Sequence, residues 1–240
     1  MKTYLASLLR LIVVYLLTST AFAQGEWQYR LTPYAWVPSL KADLDIGANP
    51  PAESDTSLLD VLDFAFLLTG EAHNGDWGLI GEFNYLDLSN DATYANGLFD
   101  AETSVNGTMI GVAVQKRIHS SSEGNADVFV GLRHWSLDAE IDFERLPTAS
   151  RSTNFTDPIL GIKGNLNINH RWFVSGLGEI GGFGAGSDLQ WEIVGRVGYR
   201  FSDTWNAVIG YRHLVLDFDN DNLIIKATMT GPFLAVDYTW

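Results

Sequence analysis

The chain has 240 residues and no Cys, and its 29 acidic side chains outnumber 15 basic ones, for a formal charge of −14 at neutral pH. The lack of Cys excludes disulfides, thiolate metal centres, thiol redox chemistry and lipoprotein anchoring, while the acidic balance disfavours nucleic acid and other anionic partners. Glycine (23 residues) and aromatics (12%) are abundant and mean hydropathy is +0.02. Such a value does not argue against a membrane location, because a barrel strand spends only every second residue on lipid.

Residues 1–23 read as a cleavable secretory signal. Lys2 and Arg10 are its charges, Leu11 to Leu17 is an unbroken apolar run, and Ala21-Phe22-Ala23 supplies the small-x-small pattern before Gln24. The run is far shorter than the roughly 20 residues of a membrane-spanning helix. Cleavage leaves residues 24–240, without linker or composition break, as one domain; losing Lys2 and Arg10 takes the formal charge from −14 to −16.

Period-2 alternation then predicts ten strands, at about 26–37, 61–73, 76–89, 105–118, 126–139, 158–169, 171–183, 188–201, 204–217 and 223–240. Tight turns are expected at Asn74-Gly75-Asp76, Asn169-His170 and Ser202-Asp203, with a slightly longer one from Ser120 to Asn125. Longer loops are expected over Asp45–Asp60, Asn90–Ser104 and Glu144–Asp157. Short turns at one end and long loops at the other is the asymmetry of outer-membrane barrels. Trp27, Trp77, Trp172, Trp205 and Trp240 fall beside turns or strand ends at one level, which suits indoles anchored at a membrane interface.

Parity separates charge from apolar surface. Phe64, Phe66, Leu79, Val128, Val130, Leu132, Leu160, Ile162, Ile193, Val197 and Ile209 face one way. Arg30, Glu71, Glu82, Arg117, Arg133, Lys163, Glu179, Glu192, Arg196, Arg200, Arg212 and Asp237 face the other and are expected to line the lumen. Lys116 is the one charge on the apolar parity, near a strand end where its stem can snorkel. A soluble, lipocalin-like barrel would show the same alternation inverted, but gives the aromatic levels no role. Mixed charges in a lumen scarcely wider than an eight-stranded one must pair to offset burial, so a plugged interior is expected. Pro33, Pro158 and Pro232 lack ladder donors and strain this reading.

Most acids fall in or beside the long loops, accompanied there only by Lys41, Arg145, Arg151 and Lys226, which gives an acidic rim suited to cations or divalent bridging. Asp217, Asp219 and Asp221 lack the Gly and distal Glu of an EF-hand.

The last residues alternate apolar Leu234, Val236, Tyr238 and Trp240 against Phe233, Ala235, Asp237 and Thr239. A terminal aromatic closing such a strand resembles the insertion signal of Gram-negative outer-membrane barrels. The opening Leu31-Thr32-Pro33-Tyr34-Ala35-Trp36-Val37-Pro38, the hairpin around Gly75-Asp76-Trp77-Gly78-Leu79 and the later Gly198-Tyr199-Arg200-Phe201 and Gly210-Tyr211-Arg212 resemble a group of small proteobacterial outer-membrane β-barrel proteins, in the broad class of OmpA-type and OmpW-type barrels. The resemblance implies fold and location and no catalytic residues.

Enzymatic readings are weaker. His134-Trp135-Ser136 is similar to the His-x-Ser of outer-membrane lipid A deacylases, but Leu137 replaces the usual Asn. His213 with Asp217 offers one half of an omptin-like constellation, and no second pair stands out. The expectation is an all-β, closed up-and-down antiparallel transmembrane barrel of about ten strands (eight or twelve as alternatives), monomeric, in the outer membrane, without cofactor or metal. Its expected contacts are outer-membrane lipid and lipopolysaccharide, and periplasmic chaperones and barrel-assembly machinery during biogenesis. A structural or surface-interaction role leads; narrow passive permeation follows, then lipid A modification.

Overall fold

The computed structural model describes residues 26–45, 52–57, 62–94, 99–143, 149–220 and 223–240. The strands are β1 (Gln28–Trp36), β2 (Ser39–Asp45), β3 (Ala52–Ser57), β4 (Leu62–His73), β5 (Trp77–Tyr94), β6 (Phe99–Ser120), β7 (Gly124–Phe143), β8 (Ala149–Asn167), β9 (Trp172–Gly182), β10 (Leu189–Arg200), β11 (Trp205–Asn220) and β12 (Leu223–Thr239). From β4 onward each pairs antiparallel with the next, and β12 pairs back onto β1 from Arg30↔Thr239 to Trp36↔Phe233. Closure leaves no free seam between first and last strands. β2 continues along β12 beyond β1, and β3 pairs with β2 as β4 does with β1, so the first two wall positions are each built of two segments in a closed ten-stranded barrel.

The break between β1 and β2 falls at Val37-Pro38, opposite Gly231-Pro232. Val37 N–H donates to the Pro232 carbonyl at 3.0 Å, and a side chain at Gly231 would collide with the Val37 carbonyl. Pro232 therefore sits where the neighbouring strand is interrupted. Pro158 sits where β9 stops: pairing of β8 with β9 begins at Ile159↔Gly181. Pro33 lies in the interval between the β1–β12 pairs Leu31↔Tyr238 and Tyr34↔Ala235. Pro232 and Pro158 thus sit at breaks in a neighbouring strand, where a ladder donor is dispensable, and Pro33 leaves a gap in the β1–β12 ladder without shifting its register.

The strands are longer than the alternation predicts. The expected loops Asp45–Asp60, Asn90–Ser104 and Glu144–Asp157 hold β3, the ends of β5 and β6, and the first part of β8. The reason is a change of character along the wall. On β7, Val128, Val130 and Leu132 face out, followed on the same face by His134, Ser136 and the exposed Asp138 and Glu140. Inward, charged Arg133 gives way to Trp135 and Leu137. β8 repeats this, with Leu160 and Ile162 exposed, then Ser152, Asn154 and Thr156, while Phe155 is buried inside. On β11, Ile209 and Tyr211 face out, and buried Leu214, Leu216 and Phe218 follow Arg212 inside. The barrel is thus apolar-out and charged-in near its tight turns, and polar-out and apolar-in beyond.

The β9–β10 hairpin is short: it turns at Gly182–Asp188, and among the described residues β8 from Ala149 to Pro158 pairs only with β7. Gly182 (φ 89), Phe183 (φ 56) and Gly184 (φ 70) carry the chain through left-handed backbone, which costs a bulky residue such as Phe183 some strain. Asp157, 0% exposed, holds the turn, accepting from the Ser187 N–H (2.7 Å), Ser187 Oγ (2.6 Å) and Gln190 Nε2 (3.0 Å). Gln190 Oε1 in turn accepts from Trp135 Nε1 at 3.2 Å.

Candidate functional site

The interior forms three layers, each dictated by which residue types fall on the inward parity at that height. At mid-height Arg133 of β7 and Arg212 of β11 meet Glu82 of β5, Glu179 of β9 and Glu192 of β10. Arg133 is ion-paired with Glu179 at 2.6 Å, donates from Nη2 to Glu179 Oε2 at 3.3 Å and to Glu82 Oε2 at 2.9 Å, and lies 3.5 Å from Glu192. Arg212 bonds Glu192 at 2.8 Å and Glu82 at 3.1 Å. Arg212 Nη1 also donates to Tyr34 Oη at 2.6 Å, and Tyr34 donates on to Asn84 at 2.8 Å. Three carboxylates share two guanidiniums, and short charge-assisted bonds offset part of their desolvation. The mesh ties six strands across the lumen.

Beyond it lies the apolar layer of Trp36, Leu67, Met109, Trp135, Phe155, Leu214, Leu216 and Phe218. Phe155 and Phe218, from strands on either side of the short hairpin, stack at 4.4 Å. On the turn side, Glu71 binds Lys163 at 2.6 Å and lies 3.9 Å from Arg30. Arg196 lies 3.5 Å from Asp237, whose Oδ1 accepts from Thr32 Oγ1 at 2.8 Å. Arg117 binds Asp127 beside His73. Arg200 donates to Asn167 Oδ1 at 2.6 Å and stacks on Phe173.

A cavity of about 1040 Å³ runs from the charged mesh to the tight turns, reaching Asn74, Gly75, Asp203 and Thr204. Arg30, Glu71, Glu82, Arg117, Arg133, Lys163, Glu179, Glu192, Arg196, Arg200 and Arg212 line it, and Asp237 lies buried behind Thr32. Sequence reasoning missed Tyr34, Gln115 and Asp127 in this lining. Asp127 shares the parity of Phe129 and Arg133, so the signal was present. Asp157 is a correction: grouped with the loop acids, it is instead buried under the β9–β10 turn.

No family model matches the chain, and no curated protein matches it. Solved structures do. The outer membrane protease OmpT from Escherichia coli aligns over 93% of this chain and 100% of its own, with a TM-score of 0.58 and 7% identity. The translocator domain of autotransporter NalP from Neisseria meningitidis (TM-score 0.47, 13% identity, 99% and 96% covered) and the transport unit of the autotransporter AIDA-I from Escherichia coli (0.47, 10%, 94% and 93%) align more loosely. The fold is that of an outer-membrane β-barrel. At such identities the likeness shows the fold alone, and no residue role transfers.

In such a barrel the apolar belt faces lipid, and aromatics crowd its turn-side edge. Tyr29, Trp240, Tyr238 and Trp205 form a continuous arc with ring centroids 5.5, 5.1 and 4.7 Å apart. Trp172 packs on Tyr199 at 4.9 Å, Lys116 holds its ammonium 4.6 Å over Trp77, and Trp27 precedes β1 with its ring partly exposed. The turns explain the spacing of three of these: Asn74, Asn169 and Ser202 side chains each accept the N–H of the Trp three residues on, Trp77, Trp172 and Trp205. Of the enzyme candidates, His134 lies on the outer face with Nδ1 2.9 Å from Thr156 Oγ1, and His213 Nδ1 is 2.6 Å from Thr230 Oγ1.

Proposed function

We propose that residues 1–23 direct export and are removed, and that the mature chain is a monomeric integral protein of the Gram-negative outer membrane with a structural or surface-interaction role and no enzymatic one. The observation supporting this reading is the interior closed from mid-height outward: a mesh of two Arg and three Glu followed by an apolar layer around Phe155 and Phe218. A soluble substrate arriving at the loop end would have to pass that layer to reach the charged mesh, and the layer occupies the path. The outer wall beyond the apolar belt, with Asp138 and Glu140 exposed on β7, offers carboxylates to divalent cations that bridge lipopolysaccharide phosphates. Trp27, Trp77, Trp172, Trp205 and Trp240 anchor the inner interface. Periplasmic chaperones and the barrel-assembly machinery are the partners of biogenesis, and nucleic acid is not a partner.

The second reading, narrow passive permeation, draws on the polar cavity reaching halfway through the barrel. Single-channel recording of the refolded protein tests the two. The plugged reading expects a flat baseline; stable conductance steps would move the assignment to a pore. Loss of lipid A deacylation in Ser136→Ala would move it to an enzyme. Intact mass of the outer-membrane form should begin at Gln24.

A further inference from the structure

We propose that the turn-side half of the lumen is a binding site for a small soluble polyanion carrying two or more oxyanion groups, of the oligophosphate or polycarboxylate class. Charge is unevenly placed along the barrel axis. The mid-height mesh has more carboxylates than guanidiniums, whereas nearer the turns Arg30, Lys163 and Arg196 pair with Glu71 and Asp237, while Asp127 is held by Arg117 and Glu26 and Asp203 also line the cavity. Arg200 has no carboxylate within 4.0 Å among the described residues; its neutral acceptors are Asn167 Oδ1 at 2.6 Å and the Asn169 carbonyl at 3.4 Å. Arg30 stands within electrostatic reach of both Arg196 and Arg200, and its acid, Glu71 at 3.9 Å, is held more closely by Lys163 at 2.6 Å. Its buried Nε has no hydrogen-bond partner among the described residues.

A second observation marks the same space as incomplete. Gln115 lines the cavity, is 1% exposed, and has neither amide atom hydrogen-bonded among the described residues. Like charges and unpaired donors gathered beside one cavity are costly unless something of opposite sign joins them. The cavity, about 1040 Å³, is large enough for a small ligand. It reaches the turn residues Asp203 and Thr204, which gives a water-borne solute an entrance. Arginine forks suit oxyanions because they donate paired, charge-assisted bonds. A free solute fits better than a lipid headgroup, since the site lies inside the strand wall and the apolar belt lies outside it.

The test is calorimetric titration of the refolded full chain in non-ionic micelles with inorganic pyrophosphate at constant ionic strength. Saturable binding is expected, with no equivalent heat from chloride. Arg200→Gln should weaken it about tenfold or more, the value of one lost charged hydrogen bond. Arg30→Gln should do likewise, and serves if the first variant fails to refold, as judged by heat-modifiable gel mobility. Arg171→Gln, an exposed residue bonded to Tyr199 outside the cavity, should bind as wild type. No saturable heat with the wild type, or equal affinity in all folded variants, overturns the site. Binding of an anionic phospholipid doped into the micelle, with none of pyrophosphate, overturns its assignment to a soluble anion.

Discussion

Removing Arg133 should destabilise the barrel chiefly through one partner, Glu179. In Arg133→Met, Glu82 and Glu192 keep Arg212 at 3.1 and 2.8 Å, but Glu179 loses the only basic group within 4.0 Å of it among the described residues. Breaking a buried pair from one side costs about 3–5 kcal/mol, or roughly 2 M in urea midpoint at a slope near 2 kcal/mol per M. Glu179→Gln alone should cost much less, about 1 kcal/mol, because it leaves two carboxylates to two guanidiniums. In the double variant the orphaned charge is gone, so a coupling of about 2 kcal/mol should reappear as recovered stability. Glu71→Gln is the control: its carboxylate belongs to the Lys163 layer, so its effect should add to that of Arg133→Met. The assay is equilibrium urea unfolding of the refolded protein, followed by tryptophan fluorescence and gel mobility. Costs for Arg133→Met and Glu179→Gln that add within about 0.5 kcal/mol would refute the shared mesh.

Three further outcomes follow from the same geometry. Val197→Arg, on the exposed belt, should impair outer-membrane assembly at a cost of about 2–4 kcal/mol, while Val194→Arg, which lines the cavity beside Glu192, should be milder; equal levels and midpoints would contradict the facing. Deleting Trp240 removes two backbone bonds to Tyr29, at 2.9 and 3.1 Å, and the ring bridging Tyr29 and Tyr238, so the chain should be exported but poorly inserted; Trp240→Phe should be tolerated and Trp240→Asp should not, read by heat-modifiable mobility. Asp157→Ala strands three donors at the β9–β10 turn, each about 1–3 kcal/mol, and should speed hydrogen exchange of residues 182–188 well ahead of the belt strands; unchanged exchange would show that the turn holds itself.

What the sequence determined by itself was the belt. Where lipid lies outside and charge inside, every second residue must be apolar, so alternation on the lower parts of β4 to β12 was legible, together with turns closed by Asn74, Asn169 and Ser202. Facing was also legible, because parity alone puts Arg133 and Val128 on opposite sides of β7. The upper wall was not. There the outer face is polar and the inner apolar positions are sparse: Ser152, Asn154 and Thr156 flank Phe155 as they would in a loop, and β3 and the start of β8 passed for connections. Only the tertiary structure decided who meets whom. Parity assigns a side chain to a face, but register and closure bring Glu82 within bonding distance of Arg133, 51 residues away, and of Arg212, 130 residues away. The same closure gathers Arg30, Arg196 and Arg200 around one cavity and turns Asp157 from a loop acid into the buried acceptor of a turn. Alternation is a property of one strand and its solvent, whereas pairing depends on the stagger of all ten wall positions, which no single segment encodes.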